Sequence, residues 1–547
     1  MAQLLYNRGV SPQAAPSFLD PDLFHAPAPF LLPDMGKAVN RINVALTRGE
    51  TIGVFGDFDV DGMTATTVLS DALSGLGART LTYVPNRFTQ GHGLHASGVR
   101  FLKEKGASLV ITCDCGTSDL AEADEVARMK VDLIVTDHHV PLTTLPKAVA
   151  VVNAKRRDSA YPFTEFAGVG TAFKLMQALY YDKDPSRLEQ LLELVALGTV
   201  ADMVALTGEN RTLVHRGLRA LNTTTRPGLL ELIKVSGLTP GSITSGDISW
   251  ALGPRINSSG RMENTNSEGT DEEDPGKVGT NTSLRLLTTT DPEEAEQLAG
   301  ELNEMNGDRQ QRTADVYGRV SERLRTRQVR PLLFDADPTY EEGVIGLVAG
   351  KVSKEYYRPA VVVNSGDVIC HGSARSIPEF DLAAALEQCS ELLRSFGGHP
   401  LAAGFSVTRD KLPLLEERLV ALAEARLAGL DLRPSLDVDA EVSLKSLSGE
   451  TFRLTRALEP FGQQNPEPCF LTRGVEVLEC RSFRNHEKWT SLRLKEGRVA
   501  WDAVDFRTLR GPDDVPQFID VVYTLRTRLW QGEEVLQANI VDFAPAR

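Results

Sequence analysis

The sequence predicts an α/β protein: a first domain with a largely parallel sheet, a second and smaller α/β unit, and a terminal β domain. Three observations predict it. Short β-branched runs alternate with helix-like segments between residues 51 and 136, the alternation returns between 331 and 406, and beyond about 434 it gives way to period-two runs separated by Gly, Pro or charged turns. A chain of 547 residues has room for about two to four domains.

Taken in order, SPQAAPSFLDPDLFHAPAPFLLPD is Pro-rich and reads as an arm lying over the first domain or as partly disordered. TIGVF (51–55), TLTYV (80–84), SLVIT (108–112) and DLIVT (132–136) read as strands, with helices from Met63 to Leu76 and from Ser97 to Lys105 between them. Residues 168–234 read as helical and close this unit. The stretch 263–280 holds six acids and one lysine and reads as a solvent-exposed insertion. Asp291 and Pro292 then open a run of helix formers, mildly broken at Gly307, that reads as a long bridge between two α/β bodies. PLLF, PAVVV and FGGHPLAAGF mark the second unit, and a helix near 411–429 follows. TSLRLKEG, RVAWDAVDF, FIDVVYTLRTRLW and EVLQANIVDF fit a small barrel or sandwich. The expected divisions are an arm at 1–49, a catalytic domain at 50–287 with the insertion near 263–280, a helical connector at 288–330, a second α/β domain at 331–432 and a β domain at 433–547.

Composition narrows the function classes. With 74 acids against 59 bases the formal charge is −15, a field that repels nucleic acid unless basic residues are concentrated locally or metal sites consume the carboxylates. Six cysteines at 113, 115, 370, 389, 469 and 480 make no disulfide scaffold and no paired CxxC zinc spacing, which points to a reducing cytoplasmic setting. No stretch reaches the 18 or so apolar residues of a spanning helix, so no membrane is expected. Neither a P-loop nor a GxGxxG follows a strand, and the EF-hand pattern is absent.

The chemistry is concentrated just after the first strands, where open α/β sheets collect ligands. GDFDVDG places Asp57, Asp59 and Asp61 after the first strand, Asp114 ends the third, and Asp137, His138 and His139 end the fourth. Asp202 follows the apolar run VALGTVA. Each signal alone is compatible with an acidic turn, a satisfied histidine pair or a helix cap. Together they put like charges at one sheet edge where only a cation, a proton or solvent relieves them, and oxygen plus imidazole donors suit divalent metals.

These motifs resemble the DHH phosphoesterase superfamily and, within it, the RecJ family of single-strand DNA exonucleases. GDFDVDG, VPNRFTQGHG, DCG, DHH and GTVADMVAL are similar to its five motifs. GPRINSSGRM, EEGVIGLVAGKVSKEYYRPAVVV, GSARS and FGGHPLAAGF are similar to the rest of the core, and LEPFGQQNPEPCF to the entry of the C-terminal nucleic-acid-binding domain. Gln90 and His92 stand where the second motif usually has Glu and Tyr. The resemblance implies a DHH domain, a DHHA1-type second domain and an OB-like barrel. It implies two divalent ions, manganese preferred and magnesium acceptable, on Asp59, Asp61, Asp114, His138 and Asp202, with Asp114 and Asp202 as bridges. Asp57 and Asp137 would hold these ligands from behind, and His139 would face the scissile phosphate.

Among the bases, Arg87, Arg255, Arg261, Ser373 and Arg375 sit among glycines and small polar residues, where arginine's donor fork suits phosphate. His399, after two glycines, resembles a substrate contact at the cleft between the α/β domains. RSFRNHEKWTSLRLKEGR carries six Lys or Arg against two Glu with Phe483 and Trp489 interleaved, a pattern for a single-strand stacking platform. The expected activity is hydrolysis of single-stranded DNA from the 5′ end to mononucleotides in repair and recombination. A monomer is expected, working with a single-strand-binding protein and a helicase that supplies unwound strand. A phosphodiesterase for short oligonucleotides or cyclic dinucleotides, and a non-catalytic DNA-binding scaffold, are the alternatives.

Overall fold

The computed structural model describes residues 1–262, 281–483, 486–506, 515–530 and 533–546. The expected acidic insertion at 263–280 lies outside the described residues. The first sheet contains β1 (Thr51–Phe55), β2 (Arg79–Tyr83), β3 (Ala107–Cys113), β4 (Asp132–Thr136) and the short β5 (Ala150–Val152) in the order β2-β1-β3-β4-β5, every pairing parallel. The order reverses between β1 and β3, so the connections leave in opposite directions there and open a crevice at the carboxyl ends of those two strands.

Two helices are buried in this domain for different reasons, the first lying on the sheet and the second against other helices. Val60–Gly75 starts at Asp59, whose carboxylate accepts from the Gly62 amide at 3.1 Å, and its small residues let it lie almost wholly buried. Leu192–Ala201, LELVALGTVA, is apolar around its whole circumference and is buried throughout all but its last residue, Ala201, packing against Val60–Gly75 and against Gly208–Leu221.

The helix Pro292–Arg325 runs unbroken for 34 residues, straight through Gly307, where a mild break was expected. Its glycine costs about 1 kcal/mol of propensity, but packing outweighs that. Ala295, Leu298, Ala299 and Leu302 enter the core of the first domain, and Val316, Val320 and Leu324 enter a core of the second. One rigid rod thereby sets the spacing of the two α/β bodies.

The second sheet is mixed, in the order β6-β7-β8-β10-β9, with β6 (Leu333–Asp337), β7 (Ala360–Ser365), β8 (Ile369–Arg375), β9 (Leu393–His399) and β10 (Ala402–Thr408). The C-terminal body contains β11 (Ala440–Glu441), β12 (Phe470–Phe483), β13 (His486–Glu496), β14 (Val499–Asp505), β15 (Phe518–Trp530) and β16 (Glu533–Pro545). Their order is β11-β12-β13-β14-β16-β15, and β12 also pairs with β15, which closes the sheet into an OB-like barrel and decides against the sandwich. Among the described residues no helix is long and apolar enough to cross a membrane, and all six cysteines are free.

The N-terminal arm is ordered into helices and serves two bodies. Leu32 and the helix Met35–Arg48, through Met35, Ala38, Ile42 and Ala45, belong to the core of the first domain. Leu4 and Leu5, by contrast, lie in the barrel core with Leu444, Leu458, Phe470 and Ile540, and Arg8 pairs with Asp439 at 2.7 Å. Only the later part of the arm therefore lies on the first domain, because the apolar face of Ala2–Asn7 finds its partner in the barrel.

Arg211, 2% exposed, locks this joint: its Nε donates to the Phe18 carbonyl at 2.9 Å, Nη1 to the Leu458 carbonyl at 2.8 Å, and its guanidinium lies 4.1 Å from the Phe18 ring centroid. Replacement by Met keeps the stem but leaves buried carbonyls without donors, at about 2–4 kcal/mol. Arg211→Met is expected to lower the unfolding midpoint and open the arm to protease. Wild-type melting and cleavage in this variant would contradict that role.

Candidate metal centre

At the β1/β3 crevice the structure brings together all eight acids and histidines singled out in the sequence. The carboxylates of Asp57, Asp59 and Asp114 approach within 4.8 Å of one another, as do donor atoms of Asp61, His138 and Asp202, and those of Asp114, Asp137, His138 and His139. Asp114 and His138 therefore each belong to two of the three groups and link them. His138 Nε2 lies 3.1 Å from Asp114 Oδ1 and 3.9 Å from Asp61 Oδ2, and its Nδ1 lies 3.7 Å from Asp202 Oδ2.

The backbone is shaped around these side chains. Asp114 adopts a left-handed conformation, φ 63°, at the end of β3, an arrangement that costs about 1 kcal/mol or more and recurs at functional sites. Asp61 accepts from the amides of Gly168 (2.6 Å) and Val169 (2.8 Å), buried N–H groups that open the helix Gly168–Leu179 and have no partner within it. A Cβ on Gly168 would stand 2.5 Å from Asp114 Cβ and 2.6 Å from its Oδ1, and one on Gly198 would stand 3.0 Å from Asp61 Oδ1.

Electrostatically the cluster is unfavourable by itself. Burial, and then the charge of Asp57, raise Asp59; burial and Asp59 push Asp61 up to about 7; burial with Asp61 and Asp59 raises Asp114 and Asp202 well above the usual carboxylate range. Burial drives His138 down to about 3, so its imidazole is neutral and its lone pair free for a cation. The buried Asp114 Oδ1 and His138 Nδ1 make no hydrogen bond. Unbonded donor atoms among mutually repelling carboxylates fit a pair of divalent cations.

Asp137 has a different environment. Burial opposes its ionisation, yet it accepts from His139 Nδ1 (2.8 Å) and from the amides of His138 (2.7 Å) and Thr117 (3.0 Å), which hold it well below the usual range. Burial also works against charge on His139, but the bond to Asp137 prevails and raises it to about 9. Asn153 secures this loop by donating to the His139 carbonyl at 2.8 Å. His92 Nδ1 lies 2.6 Å from Asp57 Oδ2, while Gln90 braces its own loop through Tyr83 Oη (2.9 Å) and the Asn86 amide (2.8 Å).

Facing the acids is a row of arginines. Burial, then the charges of Arg87, Arg309 and Arg375, bring the Arg261 guanidinium down to about 9; burial and Arg255 lower Arg309; burial and Arg87 lower Arg375. Arg87 lies 5.2 Å over the Phe58 ring, Arg255 donates to Asn303 at 3.0 Å, and Arg375 to the Ala374 carbonyl at 2.9 Å. Among the described residues none of the five pairs with a carboxylate. Half-buried cations of this kind, without carboxylate partners among the described residues, favour a polyanion.

Ser373 and Arg375 end β8 beside the start of the helix Glu342–Tyr356: a Cβ on Gly346 would lie 2.9 Å from Ser373 Oγ. His399 ends β9, reached through Gly398 at φ 140°, and its ring stacks parallel to His139 at 6.4 Å across the cleft. Phe483 and Trp489 fall in β12 and β13, on the barrel and apart from the metal centre, and their side chains lie outside the described residues.

Arg309, Asn153 and Gly168 escaped the sequence reading. Arg309 is hidden in a helix rich in both charges, and Asn153 carries no motif. Gly168 and Gly170 opening a long apolar helix were a legible sign of close approach.

Comparison with known proteins bears on this site. The model described as DHH family, N-terminal domain, matches residues 51–199; the DHHA1 domain matches 328–427; and the RecJ OB domain matches 438–542. The single-stranded-DNA-specific exonuclease RecJ of Bacillus subtilis is 35% identical over 553 residues, covering 100% of this chain and 68% of that protein. RecJ of Dickeya dadantii is 33% identical, covering 94% and 91%. The crystal structure of RecJ in complex with Mn2+ from Thermus thermophilus superposes with a TM-score of 0.83 at 28% identity, over 100% of this chain and 76% of that one. The corresponding Mg2+ complex gives 0.78 at 27% identity, over 100% and 74%.

Proposed function

The chain belongs to the RecJ family of single-stranded-DNA-specific exonucleases, and from that membership we propose that it hydrolyses single-stranded DNA from the 5′ end, dependent on two divalent ions. The observation that carries this reading is the set of three carboxylate and histidine groups linked through Asp114 and His138, opposite five arginines that have no carboxylate partner among the described residues. Asp57, Asp59 and Asp114 would hold one ion, and Asp61, His138 and Asp202 the other, with Asp114 within reach of His138. Asp57, expected behind the ligands, lies within 4.8 Å of Asp59 and Asp114 and is assigned here as a further ligand of the first ion. Hard oxygens with one neutral imidazole suit manganese first and magnesium second. When bound, the ions supply an activated water and neutralise charge on the attacked and leaving oxygens.

The chain's own residues do the rest. Hydrolysis breaks the bond between phosphorus and the 3′ oxygen of the first nucleotide, leaves a new 5′ phosphate on the strand and releases a mononucleotide. Asp137 keeps His139 charged and oriented, so its Nε2–H is available to a phosphate oxygen or the departing 3′ oxygen. His399 closes over it from the second domain. Arg87, Arg255, Arg261 and Arg309 hold the phosphates, and the barrel, with Phe483 and Trp489, carries the distal strand. The reading places a monomer in the cytoplasm, in repair and recombination, following a helicase and a single-strand-binding protein.

Ser373, Arg375 and the start of the helix Glu342–Tyr356 form the assigned pocket for the terminal 5′ phosphate. Single strands labelled at either end test the whole assignment in manganese. Label at the 5′ end should be released first as mononucleotide; initial release from the 3′ end would overturn the polarity. Arg375→Ala is expected to lower kcat/KM on 5′-phosphorylated strands about 10- to 100-fold and erase their advantage over 5′-hydroxyl strands, and Arg375→Lys to recover part of it. An unchanged end preference in both variants would remove Arg375 from this role.

A further inference from the structure

The largest exposed apolar side chain near the centre belongs to none of the groups above. Trp250 is 84% exposed on the π-helical turn Ile248–Leu252, which runs directly into the helix carrying Arg255 and Arg261. Such turns recur beside functional sites. Among the described residues no ring and no cation stacks on its indole. Met203, immediately after Asp202, is 65% exposed and held in a left-handed conformation, φ 60°. The two segments touch, since a Cβ on Gly253 would lie 3.7 Å from Ala201 Cβ.

Both segments also lead to the barrel. Leu206 donates its amide to the Gln463 carbonyl at 2.9 Å, and Ser245 Oγ donates to the Phe461 carbonyl at 2.7 Å, so the residues from 202 to 206 and from 245 to 250 connect the metal centre with the entry to the barrel. A strand passing from the ions to the barrel along this connection meets an indole face and a thioether, with Arg255 beside them for a phosphate. We propose that Trp250 and Met203 form a stacking platform for the bases of the strand just beyond the metal centre. The occupant is unstacked nucleobases, because the surface is continuous with a phosphate-binding row at one end and a nucleic-acid barrel at the other. Every base has a π face, so the platform is indifferent to sequence.

This inference rests on the proposed exonuclease activity, and the experiment separates the two. Wild type, Trp250→Ala, Trp250→Phe and Met203→Ala are assayed with manganese on long single strands, intact or carrying one abasic nucleotide at successive positions from the 5′ end. Trp250→Ala should raise KM on intact strands about tenfold, and Trp250→Phe should restore most of it. Wild type should show a position at which the abasic nucleotide weakens binding, and that penalty should disappear in Trp250→Ala. Identical abasic profiles in wild type and Trp250→Ala, or a change in self-association or protein capture with no change in KM, would overturn the platform. Absence of single-strand hydrolysis by the wild type would instead overturn the activity on which it rests.

Discussion

Asp114→Asn is expected to reduce turnover by about a thousandfold or more while preserving the fold. The substitution is chosen for its backbone. Asp114 sits at φ 63°, a conformation that Asn tolerates and Ala does not, so the change isolates the carboxylate charge. Because burial and four neighbouring acids already disfavour ionisation of Asp114, neutralising it should make the metal-free protein slightly more heat-stable. The stabilisation gained on adding manganese should shrink, since binding to the native state is what raises the midpoint. Turnover, metal stoichiometry and melting with and without manganese check these opposite signs. Two tightly held ions and a wild-type rate in the variant would refute the shared position of Asp114.

Gly168→Ala should be nearly as damaging although it removes no functional group. The added methyl would meet Asp114 at 2.5–2.7 Å, and the same residue's amide holds Asp61, so both ion positions move together. Misplaced supporting contacts typically cost about 10- to 100-fold in metal affinity. Raised manganese should rescue part of the activity of Gly168→Ala, a recovery not expected for Asp114→Asn. Gly300→Ala, on the long helix with open space around it, is the control and should be neutral or mildly stabilising. Equal metal affinities for wild type and Gly168→Ala would show that the helix start yields without disturbing the acids.

The parallel sheet was legible because β-branched runs buried on both faces leave a strong local signal, and the acids were legible because charge at the end of an apolar strand contradicts its surroundings. The break expected at Gly307 shows the opposite limit. Local propensity is worth about 1 kcal/mol, whereas the packing of Leu302 and Val316 on either side is set by bodies far apart in the chain. The docking of Leu4 and Leu5 was illegible for the same reason: they look alike whether their partner is Leu69 or Ile540. Arg309 could not be singled out, since its isolation from acids exists only after three segments meet.

The seating of Leu4 and Leu5 in the barrel has a consequence in time. Asn7 donates to the carbonyl of Asp439, 432 residues later, and the barrel strands that cover the two leucines come later still. At about 5–20 residues per second on the ribosome, that interval is roughly 20 to 90 s. The two α/β bodies can collapse while it elapses, yet the opening helix must wait with its apolar face bare. The helix Ala2–Asn7, translated far ahead of the barrel, is thus among the last to be buried, and a nascent chain that stalls before the barrel presents that face to chaperones and proteases.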